Sequence, residues 1–366
     1  MSALAAEEEA INLSQGYPDF DGPQPLLDAV QSYMRGGHNQ YPPMIGVAPL
    51  RAAIADKVAA CYGRTVDEVD EVTVTAGATE ALFCAIAAVV HPGDEVLVFD
   101  PCYDSYEPVV RLQGGITRHV PLVGPDFRVD WQAVRDAMTS RVKLIMINTP
   151  HNPTGAIWQA EDIRQLQALA AEYEFLIVAD EVYEHIVFDG VSHLSMARYD
   201  DLYARSFVIS SFGKTYHVTG WKVGYCVAPP ALSAEFRRIH QFVNFTVNTP
   251  VQLGLADFLS QHPEHHEVLP MFYQAKRDLF CELLAPSRFS LTPSEGTFFQ
   301  LLNYGDISQE KDSDLAKRWT REAKVASIPI SIFYEDQTKV PAPVLRFCFA
   351  KDDNTLRHAA EILCSL

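Results

Sequence analysis

Three shortages narrow what this 366-residue chain does. No stretch stays apolar for the roughly 20 residues that a helical membrane span needs, so a membrane is not an expected partner. Cations are scarce: 29 lysines and arginines stand against 47 acids, a net charge of −18 at pH 7. Nucleic-acid binding rests on a surplus of cations facing phosphates, and this deficit argues against such a partner. Cysteine pairing is the third shortage. The seven cysteines, at 61, 84, 102, 226, 281, 348 and 364, are scattered, odd in number and form no C-x-x-C pair. That usage fits buried free thiols and a cytoplasmic location. Met1–Ala10 carries three acids and no positive region, so it reads as a short tail and not as a secretory signal.

What is present is an α/β rhythm. Helical stretches at Gln24–Arg35 and Pro49–Tyr62 lead into strands at Glu71–Thr75, Glu95–Phe99, Gly115–Leu122, Val142–Ile147, Phe175–Ala179 and Phe207–Ile209, with helices between them. Several of these strands are apolar at consecutive positions, as strands covered on both faces are. Alternating strands and helices predict a mostly parallel sheet between helix layers. After Pro250 the pattern changes to a long helical region that Pro263 and Pro270 are expected to break. Short strands and a closing helix at Asn354–Leu363 follow. The expected division is a large domain over 33–262 and a smaller α+β domain built from 11–32 and 263–366.

In open parallel sheets ligands bind at the carboxyl ends of strands. Four such ends carry unusual residues. Gly77, Ala78 and Thr79 open a helix straight after a strand; they read equally as an anion site or as an ordinary glycine turn with a threonine cap. Asn152 projects from a turn stiffened by Pro150 and Pro153. Asp180 ends a buried strand, where a carboxylate is costly unless paired. A protonated ring nitrogen would pair it, with Tyr183 offering a hydroxyl nearby; a helix cap is the alternative. The fourth end is Ser210–Gly224, a predicted loop in which Lys214 sits between Ser211 and Thr215, with Lys222 eight positions on. An amine in a partly desolvated site has its charged form disfavoured and can attack an aldehyde. These four ends together describe a pocket for pyridoxal 5'-phosphate. Phosphate falls at 77–79, Ser211 and Lys222, the ring-nitrogen partner at Asp180, phenolic-oxygen donors at Asn152 and Tyr183, and the imine-forming amine at Lys214.

The same residues carry a family resemblance. HNPTG at 151–155, ADEVY at 179–183, SSFGK at 210–214, GWKVG at 220–224 and LRFCFAKD at 345–352 resemble the fold-type I, class I/II aminotransferases, from about residue 11 to the end of the chain. NLSQGYPDFDG at 12–22 and NQY at 39–41 are similar to bacterial methionine aminotransferases and their kynurenine–glutamine transaminase relatives. The resemblance implies a seven-stranded-type sheet, an amino acid and a 2-oxo acid as substrates, and a homodimer with shared active sites. It implies that Arg346 pairs bidentately with the substrate α-carboxylate, and that Gly16 meets the same group. Tyr103 would stack on the cofactor ring, and Tyr41 would reach the phosphate of the partner subunit. At Lys222 aspartate-specific members carry arginine, so the charge is kept and the fork lost.

The expected reaction is ping-pong transamination. Lys214 shuttles the proton, with Asp180 and Tyr183 as catalytic companions. No arginine occurs in the loop Asn244–Thr249, and Tyr17, Tyr103 and Phe245 are candidates for an apolar wall. A neutral thioether or aromatic amino acid is therefore the expected donor, methionine-like, with kynurenine, phenylalanine, tyrosine or glutamine in the same class. A carbon–sulfur β-lyase using the same lysine is the alternative, and a cofactor-binding regulator lacks the basic module it would need. The histidines at 262, 265 and 266 read as solvated surface, and no metal is expected.

Overall fold

A computed structural model describes residues 1–366. The first strand, β1 (Ile11–Asn12), stands apart from the main sheet. That sheet contains β2 (Val72–Thr75), β3 (Glu95–Asp100), β4 (Ile116–Pro121), β5 (Val142–Asn148), β6 (Leu176–Asp180), β7 (Ser206–Ser211) and β8 (Gly224–Val227). Their order is β2-β8-β7-β6-β5-β3-β4. Every neighbouring pair is parallel except those of β8, which runs antiparallel to β2 and β7.

The apolar runs of the central strands are explained by what covers them. Leu97 and Phe99 of β3, Ile145 and Ile147 of β5, and Ile177 and Ala179 of β6 join one core. The alternate residues, Val96 and Val98, Leu144 and Met146, and Val178, join a second core on the other face. Both faces are dry, so both residue parities must be apolar.

A third core forms around β9 (Phe299–Asn303), β11 (Ile328–Pro329) and β12 (Val344–Cys348), an antiparallel sheet of order β11-β12-β9. Phe280, Phe298, Trp319, Phe347 and Leu356 fill it, together with Leu13 and Tyr183 from the earlier chain. The N-terminal segment is held there because β1 pairs in parallel with β10 (Val325–Ala326).

The elements differ from the sequence-based expectation in four places. Lys214 lies on a single helical turn, Phe212–Thr215, closed by the Tyr216 amide donating to the Phe212 carbonyl at 2.8 Å, and not in a loop. Pro270 does not break its helix, which runs unbroken over His265–Leu284. Proline at the sixth helical position gives up one ladder bond, to the His266 carbonyl, and the packing of Leu269, Tyr273 and Phe280 in the third core holds the helix continuous. The helix Pro230–Val243 was not anticipated. The 1–10 tail forms a helix, Ser2–Glu7, beside which Glu8 receives Lys324 at 2.9 Å.

Parallel packing brings Asp100, Asn148, Asp180 and Ser211, the last residues of β3, β5, β6 and β7, to one edge of the sheet. That edge faces the third core.

Candidate active site

Between this sheet edge and the third core lies a cavity of about 440 Å³. It gathers Gly16, Gly77, Ala78, Thr79, Tyr103, Asn152, Asp180, Tyr183, Ser211, Lys214, Lys222 and Arg346 onto one wall system. A larger opening of about 750 Å³ behind Thr154–Ala156 holds one cation, Arg128, already paired with Glu295 at 2.6 Å. Chemistry therefore favours the smaller cavity.

Lys214 reaches into it from the one-turn helix after β7. Its Nζ donates to the Gly16 carbonyl at 3.1 Å and stands 5.3 Å from the ring centre of Phe298 and 5.6 Å from that of Tyr183. No carboxylate is bonded to it. Burial, with Lys222 and Arg346 adding like-charge repulsion, pulls its pKa down to about 8. A useful fraction of the amine is thus unprotonated near neutral pH, as a nucleophile or base requires. The turn is tight because Gly213 has no side chain: a Cβ there would stand 2.9 Å from the Thr219 Cα.

Asp180 ends β6 and is buried. Burial pushes its pKa up to about 6, while hydrogen bonds from the Tyr106 hydroxyl, at 2.7 Å, and the Val182 amide, at 3.4 Å, partly counter that. Asn148 fixes the strand ends around it: its amide donates to the Asp180 carbonyl at 2.9 Å and its oxygen accepts from the Asn152 amide at 2.8 Å. A buried carboxylate with no cation bonded to it is a receptor for a positive group.

Arg346, on the central strand of the small sheet, is buried, and that burial lowers its pKa to about 10. Its guanidinium lies 3.9 Å from the Phe299 ring centre and donates to Asn152 Oδ1 at 2.6 Å and the Ser14 carbonyl at 3.1 Å. Its Nε has no partner. An unsatisfied donor on a planar, preoriented fork is suited to a carboxylate.

At the opposite end Lys222, in left-handed backbone at φ 53°, donates to Thr79 Oγ1 at 3.4 Å. Gly77 lies beneath it: a Cβ there would meet Lys222 Cε at 3.3 Å and Nζ at 3.4 Å. Gly77 also opens the 13-residue helix Gly77–Val89, whose first amides favour an anion. Ser211 borders the same end.

Two residues expected in the wall, Tyr17 and Phe245, are not brought in. Tyr17 is held outside the cavity lining, its carbonyl accepting from Lys351 Nζ at 2.8 Å and its ring 4.2 Å from that ammonium. Phe245 also lies outside that lining, edge-on at 5.6 Å to Tyr41, which is 84% exposed and whose expected place is the partner's cavity, not its own. Tyr103 does line the cavity, and Ile328, Ile332 and Phe333 are among the apolar residues that line it where Tyr17 and Phe245 are expected. Sequence reasoning also missed Tyr106 and Phe299. Tyr106 follows Tyr103 by three positions, a helical spacing that could have flagged it; Phe299 sits in an ordinary apolar run.

The donor set can be tested against the expected cofactor and substrate. Three cations line the cavity, and each meets only neutral oxygens: Gly16 for Lys214, Thr79 for Lys222, Asn152 and Ser14 for Arg346. Across the cavity stands one buried carboxylate, Asp180. A ligand with a phosphate at one end, a carboxylate at the other and a protonated ring between them satisfies every one of these groups. The residues fit.

Comparison with known proteins agrees with that chemistry. The family described as aminotransferase class I and II matches residues 8–363. A methionine aminotransferase of Escherichia coli is 49% identical over the whole of this chain and 94% of its own length. A kynurenine–oxoglutarate transaminase of Dictyostelium discoideum is 32% identical, covering 100% of this chain and 92% of its own. The crystal structure of an Escherichia coli protein identified as a methionine aminotransferase superposes with a TM-score of 0.97 at 49% identity, covering 100% of this chain and 95% of that one.

Proposed function

We propose a reaction from one premise: the chain belongs to the class I and II aminotransferases. It is a fold-type I enzyme of that family, and enzymes of this family and fold use pyridoxal 5'-phosphate. The donor we assign is a neutral thioether amino acid, methionine first, with kynurenine and other aromatic amino acids as secondary substrates. The amino group passes to a 2-oxo acid.

One observation carries the choice of donor. Arg346 is committed to the α-carboxylate position and Lys222 to the Thr79 end, so no third fork remains for a side-chain carboxylate. The surfaces left for the side chain include Tyr103, Ile328, Ile332, Phe333 and Met1, with Ser2, Gln15 and Asp104 beside them and no further lysine or arginine. Burying a thioether against them is favourable, whereas a second carboxylate would be desolvated without a partner. The methionine aminotransferase relative points the same way.

The residues divide the work as follows. Gly77, Ala78, Thr79, Ser211 and Lys222 would hold the phosphate; Tyr103 would cover the ring; Asn152 and Tyr183 would donate to the phenolic oxygen; Asp180 would keep the ring nitrogen protonated. When bound, the cofactor supplies an aldehyde for amine exchange and an electron sink. Lys214 Nζ, with its pKa brought down to about 8, takes the proton from the amino-acid Cα and returns it. Arg346, stacked on Phe299 and tied to Asn152, fixes the α-carboxylate so that the Cα–H faces that amine. Gly16 leaves room beside them, since a Cβ there would stand 2.6 Å from Phe299 Cζ.

The assembly we assign is a cytoplasmic homodimer, with exposed Tyr41 reaching the partner's cavity. The seven unpaired cysteines support the compartment. The cavity's position between two cores supports a division near residue 262, with Leu13 in the small core. Leu26 and Val30 pack in the large one, and so favour a first boundary before the helix Gln24–Arg35 instead of at 32/33. No helix is long and apolar enough to cross a membrane.

A panel of L-amino acids and 2-oxo acids with the purified, cofactor-loaded protein tests the reading. Methionine is expected to exceed aspartate and glutamate in kcat/KM by about 10-fold or more, the scale on which an unpaired buried charge is rejected. A preference for a dicarboxylate donor would overturn it.

A further inference from the structure

Behind the cavity wall lies a cluster that transamination does not use. His119, at the fourth position of β4, has a side chain only 7% exposed. Its Nδ1 meets Asp100 Oδ1 at 2.7 Å, and Asp100 is itself buried. Its other nitrogen, Nε2, is buried and has no hydrogen-bond partner. That nitrogen points to Glu335 Oε2, 3.6 Å away, and to Glu107 on the helix Tyr106–Leu112; the three donor atoms lie within 4.8 Å of one another.

We propose that His119, Glu107 and Glu335 form a site for a divalent transition ion of the zinc class. When Nδ1–H is given to Asp100, the neutral imidazole presents Nε2 to the carboxylates, the carboxylate–histidine arrangement that aims an imidazole at a metal. An entering ion displaces the proton that Asp100, Glu335 and Glu107 favour on the ring. Two donors each about 2.1 Å from one ion at a tetrahedral angle stand about 3.4 Å apart, close to the Nε2–Oε2 separation here. One imidazole with two carboxylates suits zinc or manganese better than magnesium or calcium. Charge argues likewise. Asp100, Glu107 and Glu335 bring three negative charges, and the nearby cation is Arg111, which contacts Glu107 and stands 3.8 Å from Glu335. Arg111 is 65% exposed, so it can swing out as an ion enters.

The position gives such an ion a consequence. Glu107 adjoins Tyr106, the hydroxyl partner of Asp180, and Glu335 lies two residues beyond Phe333 of the cavity wall. An ion there ties the sheet side of the cavity to its small-sheet side. The two other close groups do not qualify: in Asp100, Cys102 and His119 the histidine and carboxylate are already bonded to each other, and at Glu80, Cys84 and His240 every donor is engaged, His240 with both Glu80 and the Met44 carbonyl.

Equilibrium dialysis of the chelator-stripped, cofactor-loaded chain against zinc chloride, competed with a chromophoric chelator, is the test. One zinc per chain is expected, with a rise in melting temperature. His119→Gln and Glu335→Gln should each weaken binding by about 10-fold or more while keeping the cofactor band. His262→Gln, at the surface, should leave binding unchanged. Glu335 is half exposed, so its variant folds even if His119→Gln does not. Absence of stoichiometric binding, or equal binding in the Glu335→Gln protein, would overturn the assignment.

Discussion

Lys57 and Lys214 are both buried amines near the same strand, and they have opposite fates. Burial works against the charge of Lys57, but Glu184 at 2.5 Å and the Tyr225 hydroxyl at 2.7 Å outweigh it, and its pKa is raised. Glu184 also accepts hydrogen bonds from Tyr62 and Ser210. Lys214 has a carbonyl and two aromatic rings for company, and burial wins. Ser210 and Ser211 are consecutive on β7; the first side chain joins the filled cluster, the second borders the open cavity. The sheet thus separates a cation that holds the fold together from one kept reactive at the fold's expense. In the role proposed for Lys214, what would make the lysine catalytic is the partner it is denied.

Exchanging or deleting those partners breaks the comparison in graded ways. The largest effect belongs to Lys214→Ala. It should lower kcat by about 1,000-fold or more and remove the bound cofactor's visible band, with little loss of stability in urea. Retained transamination would contradict the role. Next comes Lys57→Met. Leaving Glu184 buried and uncompensated should cost about 3–5 kcal/mol in urea unfolding, while the protein that stays folded keeps a visible cofactor band.

A smaller stability change than that of Lys57→Met is expected at Asp180. Its pKa of about 6 in the fold lies above the ordinary 3.8, so its proton is held more tightly when folded. That contribution is complete below about pH 3.8 and lost as pH rises through 6; above that, the ionised group costs stability. Asp180→Asn should therefore stabilise the cofactor-free chain at pH 8 by roughly 1–3 kcal/mol, with a smaller gain at pH 4, and still lose most activity. Equal or lower stability at pH 8 would remove the idea that the site is kept at a cost.

Much of this was legible in the sequence, for identifiable reasons. Strands dry on both faces have to be apolar at every position, so the parallel sheet could be read from runs alone. Asn152, Asp180 and Lys214 stood out because polar residues end those runs. Arg346 did not: a lone arginine in a short strand looks like an edge residue until Asn152 and Phe299 are seen around it. Lys57 and Glu184 were invisible because their pairing spans 127 positions. Tyr17 was misplaced because nothing local foretells that Lys351 will hold it away. His119 carried no signal either, since only the fold sets its free nitrogen facing Glu335.

The central claim is that Lys214 alone of the buried amines reacts with a carbonyl. Borohydride reduction of the cofactor-loaded protein, followed by peptide mass mapping, tests it directly. The account predicts one cofactor-sized mass increment, on the peptide containing Lys214, with none at Lys57 or Lys222. An increment at another lysine, or none in protein that turns over, would contradict it.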